Sequence, residues 1–294
     1  MGQKFPQRHE DGYNAKAAQN RWAGKRTQGK GGLVRSIAFE QVSNVRDLGG
    51  IPVEGGRVVR PGLMYRGGAL HSATPCDWAR LRDELGIRHV FDLRIGYEVA
   101  AKPDVIPADV DYQRIPFYDN EAIGYEYFDP IPGTIVIGND FACDPDHFYR
   151  DMANPLTAGQ LRILLHRLME AASAGEPVYF HCSGGKDRAG ITALLVLQIL
   201  GADEQDILDD YLLTNVARQA GIEKIYQRFL RLCQGDEEFA RQVTENHCAR
   251  PENLAAFRDA VNQRYGSMDA YLCDVLGFDQ AKRAELRLVL TQLA

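Results

Sequence analysis

The chain of 294 residues contains 45% hydrophobic and 25% charged residues, which are ordinary values for a globular protein. Length and composition exclude a collagen-like chain, a coiled-coil rod and a mostly disordered chain, and they predict one large domain or two small ones. The chain has 34 Lys and Arg against 40 Asp and Glu, which gives a net charge of −6. This charge excludes binding of nucleic acid or an anionic membrane through the electrostatics of the whole surface.

The first part of the chain differs in charge from the remainder. Residues 1–32 contain seven Lys or Arg and two acidic residues, so this segment carries +5 and the remainder −11. It offers little apolar surface to bury, which predicts a mobile basic arm, with a docking or lipid-contacting segment as the alternative. Its start lacks an apolar signal-peptide core, and no transmembrane stretch follows. We therefore expect a cytoplasmic protein, with export by another route and the oligomeric state left open.

Six cysteines are scattered along the chain without C-x-x-C pairs or close Cys/His spacing. This pattern indicates neither a zinc site nor a dense disulfide framework. We therefore expect no metal and a reducing compartment.

From residue 33 onward, short apolar runs alternate with helical periods. Runs rich in β-branched or aromatic residues predict strands at 57–60, 63–66, 89–93, 111–117 and 177–182. Helical periodicity predicts helices at 75–85, 157–174, 189–200, 203–214, 221–233, 236–247, 251–264, 267–276 and 279–292. This order predicts an α/β fold with a central, mostly parallel sheet flanked by helices, plus a helical C-terminal portion. We expect one domain over 33–294, with a core at about 37–214 and the helical part at about 215–294.

The segment PVYFHCSGGKDRAGITALLVLQIL has the pattern of a buried strand, a glycine-bearing loop and an apolar helix. Cys182 and Arg188 bracket the loop as C-x5-R. Successive loop N–H groups and the start of the following helix form an anion site, where an arginine binds two phosphate oxygens. The same positive field favours a thiolate, so Cys182 is the predicted nucleophile. The predicted phosphate-binding residues are Ser183, Gly184, Gly185, Lys186, Asp187 and Arg188.

Two other interpretations of this segment are weaker. An isolated cysteine near a strand end is usually a small buried hydrophobe, but the strand, glycines, basic residues and helix around Cys182 favour catalysis. The nucleotide-binding pattern G-x-x-x-x-G-K-[ST] does not match, because Phe180 stands at its first glycine and Asp187 at its Ser/Thr position. An NTPase is therefore not expected.

HCSGGKDRAG resembles the signature of the protein tyrosine phosphatase superfamily, and its GKDR core resembles an atypical bacterial branch. NVRDLGG at 44–50, GRVVRPGLMYRGGAL at 56–70 and LGIRHVFDLRIGYE at 85–98 follow the motif order of that branch. The resemblance covers about 37–200 and is loose beyond. It implies a cysteine-phosphatase fold and hydrolysis of phosphotyrosine, sometimes phosphoserine/threonine or phosphoinositides, through a phosphocysteine intermediate without a cofactor. Phosphorylated proteins or phosphoinositides are then the expected partners.

Three carboxylates could protonate the leaving oxygen, since an alkoxide leaves poorly. Asp119 follows a strand and resembles the acid position of dual-specificity phosphatases, and Asp92 and Asp187 are the other candidates. Each has a structural alternative. Asp92 could form a salt-bridge network with Arg94 and Glu98, Asp119 could cap a turn, and Asp187 could orient loop amides.

Two further residues of the signature have expected roles beside the nucleophile. Lys186 could add charge beside the phosphate and favour multiply charged substrates, or it could be a solvated charge. His181 precedes the nucleophile, and we expect it to maintain the shape of the loop through hydrogen bonds to backbone.

One residue departs from the superfamily pattern. The position after Arg188 usually holds Ser or Thr, whose hydroxyl helps the sulfur to leave during hydrolysis of the phosphoenzyme, and here it is Ala189. The resemblance therefore predicts a slow second step, with phosphocysteine accumulating.

Residues 118–153 form a predicted long connection rich in Tyr and Phe. A lid over the phosphate site and packing of these aromatics on the body of the protein are both consistent with that composition.

Two alternative functions complete the analysis. One is a phosphate-binding module that is catalytically weak, which Ala189 and the unassigned acid would permit. The other is a rhodanese-like sulfurtransferase, which also places a cysteine at a strand-to-helix loop.

Overall fold

The predicted buried strand before Cys182 lies at the centre of the sheet in a computed structural model of the chain, which describes residues 35–117 and 145–294. The strands are β1 (Arg46–Asp47), β2 (Pro52–Val53), β3 (Arg57–Val59), β4 (Met64–Gly67), β5 (His89–Asp92), β6 (Asp111–Arg114), β7 (Val178–His181) and β8 (Thr291–Leu293). Five of them form one sheet in the order β1-β4-β7-β5-β6. β4 and β5 flank β7 in parallel, β6 pairs parallel with β5, and β1 is antiparallel at the edge.

Helices cover both faces of this sheet. They are α1 (Pro75–Ala79), α2 (Gly96–Ala101), α3 (Pro145–Asp151), α4 (Pro155–Ser173), α5 (Arg188–Leu200), α6 (Glu204–Ala217), α7 (Gln219–Leu232), α8 (Glu237–Glu245), α9 (Pro251–Tyr265), α10 (Met268–Ala270) and α11 (Gln280–Leu290). Short π-helical turns at Arg80–Glu84 and Tyr271–Val275 continue α1 and α10. Within 35–117 and 145–294, none of these helices combines the length and apolar character needed to cross a bilayer.

The core explains why β7 is uniformly apolar before its final histidine. Phe180 belongs to the larger hydrophobic cluster on one face of the sheet, and Tyr179 belongs to the smaller cluster on the other face. Because successive strand residues point to opposite faces, a strand covered on both sides shows a continuous apolar run. Every residue of α5 except Gln198 is buried, so this helix lies inside the protein and supports the loop that precedes it.

Local signals explain where the flanking helices begin and end. The Asn154 side chain accepts a hydrogen bond from the Thr157 amide at 2.9 Å, and Pro155 follows it at the start of α4. Such a cap satisfies an amide that has no partner within the helix. At the end of α5, Gly201 has φ of +86° and terminates the helix in the left-handed region.

The predicted α/β class and the mostly parallel sheet are confirmed. The helix predicted over 279–292 is wrong at its end, because Thr291–Leu293 pair with β3 as β8 and complete a second, antiparallel sheet in the order β2-β3-β8. Two helices were not predicted, Gly96–Ala101 and Pro145–Asp151. The latter lies inside the predicted connection 118–153, of which residues 118–144 lie outside the described part of the chain.

Candidate active site

Residues 182–188 form the loop between the central strand β7 and helix α5. Cys182 is 2% exposed and Arg188 is 8% exposed, so both are buried. In open α/β sheets, ligands bind beyond the carboxyl ends of the strands, which is where this loop lies. The amino end of α5 follows the loop directly and provides the positive end of a helix dipole.

The loop carbonyls are held from the β1–β4 side of the sheet. The Asn44 side-chain amide donates to the carbonyl oxygens of Gly184 at 3.1 Å and Gly185 at 3.0 Å. Arg66 donates to the carbonyl oxygens of Gly185 at 2.9 Å and Lys186 at 3.3 Å. Because C=O and N–H of a trans peptide point in opposite directions, the following amides are directed to the opposite side of the loop. Such a curl of amides binds anions.

Gly185 allows the loop to lie directly on the end of β4. Its φ is +65°, and a Cβ at this position would lie 2.4 Å from the carbonyl oxygen of Gly67. Both facts exclude a side chain, because the left-handed region and the close approach each favour glycine. The packing of the loop against β4 therefore requires glycine at position 185, whether or not phosphate binds there.

A buried carboxylate holds the two arginines that support the loop. Asp210 accepts from Arg46 Nε at 3.1 Å and from Arg66 Nη1 at 2.9 Å. Burial alone would raise the pKa of Asp210, but Arg46, Arg66 and Arg35 lower it to about 2. Sequence reasoning missed Asp210, although a signal existed. Asp210 lies with Ile207 on the buried face of α6. A charged residue on a buried face needs a partner of opposite charge, so its position in the helical pattern was the signal.

Glu98 holds the guanidinium of Arg188. Its two carboxylate oxygens accept from Arg188 Nη1 at 2.5 Å and Nη2 at 2.8 Å, and the Ser183 hydroxyl also donates to it. Burial would raise the pKa of Glu98, but Arg188 and Ser183 lower it below its usual value. The alternative that placed Glu98 in a network with Asp92 and Arg94 is therefore wrong for Glu98, because its carboxylate binds the loop arginine.

Asp92 is fully buried, and other side chains already bind its carboxylate. Arg94 Nε donates to Asp92 at 2.9 Å, and the Tyr112 hydroxyl donates at 2.7 Å. Burial would raise the pKa of Asp92, but Arg94 and His181 lower it. These contacts support the ion-pair interpretation of Asp92 rather than that of a proton donor.

His181 lies buried behind the nucleophile. Its Nδ1 is 3.3 Å from the Cys182 carbonyl oxygen, and its Nε2 is 3.2 Å from Asp104 Oδ2. Within the described residues, Asp92, Asp104 and His181 offer donor atoms within 4.8 Å of one another. Arg94 Nη2 already lies 2.6 Å from Asp92 and 2.8 Å from Asp104, so a metal ion would have to compete with this guanidinium.

Asp187 is the more accessible of the two described candidate acids. Its side chain is 29% exposed, it lies 3.3 Å from Lys186 Nζ, and the Tyr149 hydroxyl donates to it. Burial would raise the pKa of Asp187, whereas Lys186, Tyr149 and Arg188 lower it below its usual value. Asp119, the remaining candidate, lies outside the described residues, as does the predicted arm 1–32.

Lys186 links the loop to the C-terminal helices. Its Nζ donates to the carbonyl oxygens of Asn246 at 3.1 Å and Cys248 at 3.4 Å, in the connection between α8 and α9. With 7% exposure it is not the solvated charge considered as an alternative. Ala189 is fully buried in the first turn of α5, next to Arg188.

The chain is similar to several known phosphatases. Residues 37–292 match the model of the tyrosine phosphatase family. The triple specificity protein phosphatase PtpB of Mycobacterium tuberculosis is 32% identical over 261 residues, covering 79% of this chain and 92% of its own length. A protein of Cupriavidus necator, provisionally named a tyrosine-protein phosphatase, is 31% identical over 84% of this chain and 86% of its own length. The solved structure of P. aeruginosa TpbA is 16% identical, covers 68% of this chain and 90% of that chain, and has a TM-score of 0.31.

Proposed function

Since the chain belongs to the tyrosine phosphatase family and is a cysteine-dependent phosphatase, we propose that it hydrolyses phosphotyrosine in proteins through a phosphocysteine formed on Cys182. The observation that carries this proposal is the loop from Cys182 to Arg188 at the amino end of α5. Asn44 and Arg66 hold its carbonyl oxygens, and Glu98 holds the guanidinium of Arg188. PtpB is named a triple specificity phosphatase. Phosphoserine/threonine and phosphoinositides, which the sequence resemblance implies, are secondary candidate substrates for this chain.

In the first step, the Cys182 thiolate attacks phosphorus in line with the leaving oxygen. The S–P bond forms, the P–O bond breaks, and the leaving oxygen takes a proton from the general acid. The three equatorial oxygens are bound by loop amides and Arg188, which stabilise the charge of the transition state without reorganisation. In the second step, water attacks phosphorus, the P–S bond breaks, and the water proton passes to the conjugate base of the acid. Phosphate and the thiolate are the products.

Asp119 and Asp187 are the two candidates for the general acid in this proposal. Asp92 is less suited to this role, because it is fully buried with its carboxylate bound by Arg94 and Tyr112, whereas the Asp187 side chain is 29% exposed. Replacing the acid should reduce turnover most for phosphate esters with poor leaving groups, since these depend most on protonation. We therefore propose comparing Asp119→Asn and Asp187→Asn on alkyl and nitrophenyl phosphates.

Phosphate release from a phosphotyrosine peptide tests the proposal, using the parent protein and Cys182→Ser. The parent should turn over the peptide and be inhibited by orthovanadate, whereas Cys182→Ser should lose activity by about 10⁴-fold or more. Binding of the peptide without turnover by the parent would favour the weak phosphate-binding module. Sulfur transfer to cyanide without vanadate inhibition would favour the sulfurtransferase. Cell fractionation would test the cytoplasmic location expected from the sequence.

A further inference from the structure

Arg218 borders the catalytic loop from the C-terminal helices. It lies between α6 and α7, and its guanidinium is near Gly184. The position that a Cβ would occupy on Gly184 is 3.3 Å from Arg218 Cζ and 3.5 Å from Nη2. The guanidinium therefore occupies the space directly beside Gly184, in the loop that the proposed function assigns to phosphate.

The other cations around this loop have carboxylate partners. Lys186 pairs with Asp187, Arg188 with Glu98, and Arg66 with Asp210. For Arg218, no carboxylate of residues 35–117 or 145–294 lies within 4.0 Å, and its hydrogen bond is a long one of 3.4 Å to the carbonyl oxygen of His247. A guanidinium has five N–H donors in a planar fork, so Arg218 retains donors for a ligand.

The surroundings of Arg218 favour an anion. Burial, Lys186 and Arg218 lower the pKa of His247 to about 4 against the opposing effect of Asp187, so this ring is neutral beside Arg218 at physiological pH. An anion beside Gly184 would supply the Arg218 guanidinium with a counter-charge.

The adjoining surface favours a soluble peptide over a membrane. The hairpin of α7 and α8, residues 219–245, contains five acidic and four basic residues. A surface of this composition is not attracted to anionic lipid, which requires a cluster of basic residues. A carboxylate fits the planar fork of an arginine with two parallel hydrogen bonds.

We propose that Arg218 forms a second anion subsite beside the phosphate loop, where it binds an acidic side chain next to the phosphotyrosine of a peptide substrate. This inference rests on the proposed function. It assigns selectivity for acidic flanking residues to Arg218, whereas Lys186 ties the loop to the connection between α8 and α9.

The test compares two phosphotyrosine peptides that differ only in Glu or Gln beside the phosphotyrosine. The parent should have about a tenfold higher kcat/KM for the Glu peptide, the size expected for a hydrogen bond to a charged group. Arg218→Gln should bring this ratio close to one, and Arg218→Lys should retain part of it. Arg228→Gln, which removes an exposed arginine of α7, should keep the parent ratio. Raising the salt concentration should reduce the ratio in the parent because it screens the exposed pair.

Peptide affinity measured with Cys182→Ser provides a readout independent of turnover. In that background, the Glu peptide should bind about tenfold more tightly than the Gln peptide, and Arg218→Gln should remove the difference. Equal binding of both peptides, or a preference that survives Arg218→Gln, would overturn the subsite. An effect of Arg218→Gln confined to a short-chain phosphoinositide would overturn it in favour of lipid. If the parent hydrolyses neither peptide, the proposed function fails, and these affinities still decide the role of Arg218.

Discussion

At the scale of single residues, Glu98 holds the guanidinium of Arg188, the residue proposed to bind phosphate. A guanidinium released from Glu98 would sample other rotamers, and a small displacement of a catalytic group can cost about 10²-fold in rate. We therefore expect Glu98→Ala to lower kcat/KM by about 10²-fold and to weaken inhibition by vanadate. Glu98→Gln should recover part of the loss, because its amide oxygen still accepts one hydrogen bond from Arg188. Full activity in Glu98→Ala would show that Arg188 needs no carboxylate partner.

A second residue-scale prediction concerns Ala189. With no hydroxyl on residue 189, the second step should be slow, and a rapid-mixing trace with nitrophenyl phosphate should show a burst of nitrophenol. Ala189→Ser should raise kcat by about tenfold and shrink the burst, because a hydrogen bond to the departing sulfur stabilises its charge. Ala193→Ser, one turn further along α5 and also buried, is the matched control and should leave the burst intact. A parent trace without a burst would contradict this prediction.

The site was only partly predictable at this scale. Cys182 and Arg188 are close in sequence, so C-x5-R between a strand and a helix carries the information by itself. The contact between Arg66 and Asp210 spans 144 residues, and no local pattern reports which carboxylate meets which arginine. Glu98 was expected to join a network with Asp92 and Arg94, but its partner is Arg188, which is 90 residues away in the sequence.

At the scale of elements, the loop depends on its fit against the end of β4. Gly185→Ala should destabilise the protein by about 2–4 kcal/mol, because it adds backbone strain to an overlap with Gly67. It should also reduce phosphatase activity. Chemical denaturation measures the first effect and peptide hydrolysis the second. Gly159→Ala, on the exposed side of α4 with no atom near its Cβ, should instead be neutral or stabilise by about 0.5–1 kcal/mol. Equal stability of both variants would contradict the fit.

Element boundaries show where local patterns are insufficient. The central strand and the long helices were predictable, because their apolar runs and caps are encoded within a few residues of each other. β1 and β2 have two residues each, which is too short for a period to be recognised. β8 continues a helical pattern, yet Thr291 takes extended backbone and pairs with Val59, so tertiary contact overrides local propensity.

At the scale of the whole molecule, the ion pairs of Asp210 predict a dependence of stability on pH. The folded pKa of about 2 lies below the ordinary value of 3.8, so this contribution is present above about pH 4 and lost as pH falls towards 2. This contribution amounts to about 2–3 kcal/mol of unfolding free energy, since a pKa difference of one unit corresponds to about 1.4 kcal/mol. Denaturant titrations between pH 5 and 2 should record this loss.

Substitution of Asp210 separates its contribution from general acid unfolding. Asp210→Asn should destabilise by about 3–5 kcal/mol at neutral pH, because it leaves Arg46 and Arg66 buried without their counter-charge. It should also flatten the pH dependence below pH 4. Asp209→Asn, at the adjacent position on the less buried side of α6, should change stability by less than about 0.5 kcal/mol. If Asp210→Asn lost stability below pH 4 as steeply as the parent does, the loss of stability at low pH would come from other carboxylates.

The contacts of Lys186 with Asn246 and Cys248 affect how the chain acquires activity during synthesis. A ribosome makes Cys182 and Arg188 well before it reaches those carbonyls, and the residues that pair with Val59 emerge later still. Nascent chains that have passed the signature motif would therefore carry the nucleophile without the framework around it. We expect premature termination before those carbonyls to yield inactive fragments rather than a smaller phosphatase, because Lys186 would lack both acceptors.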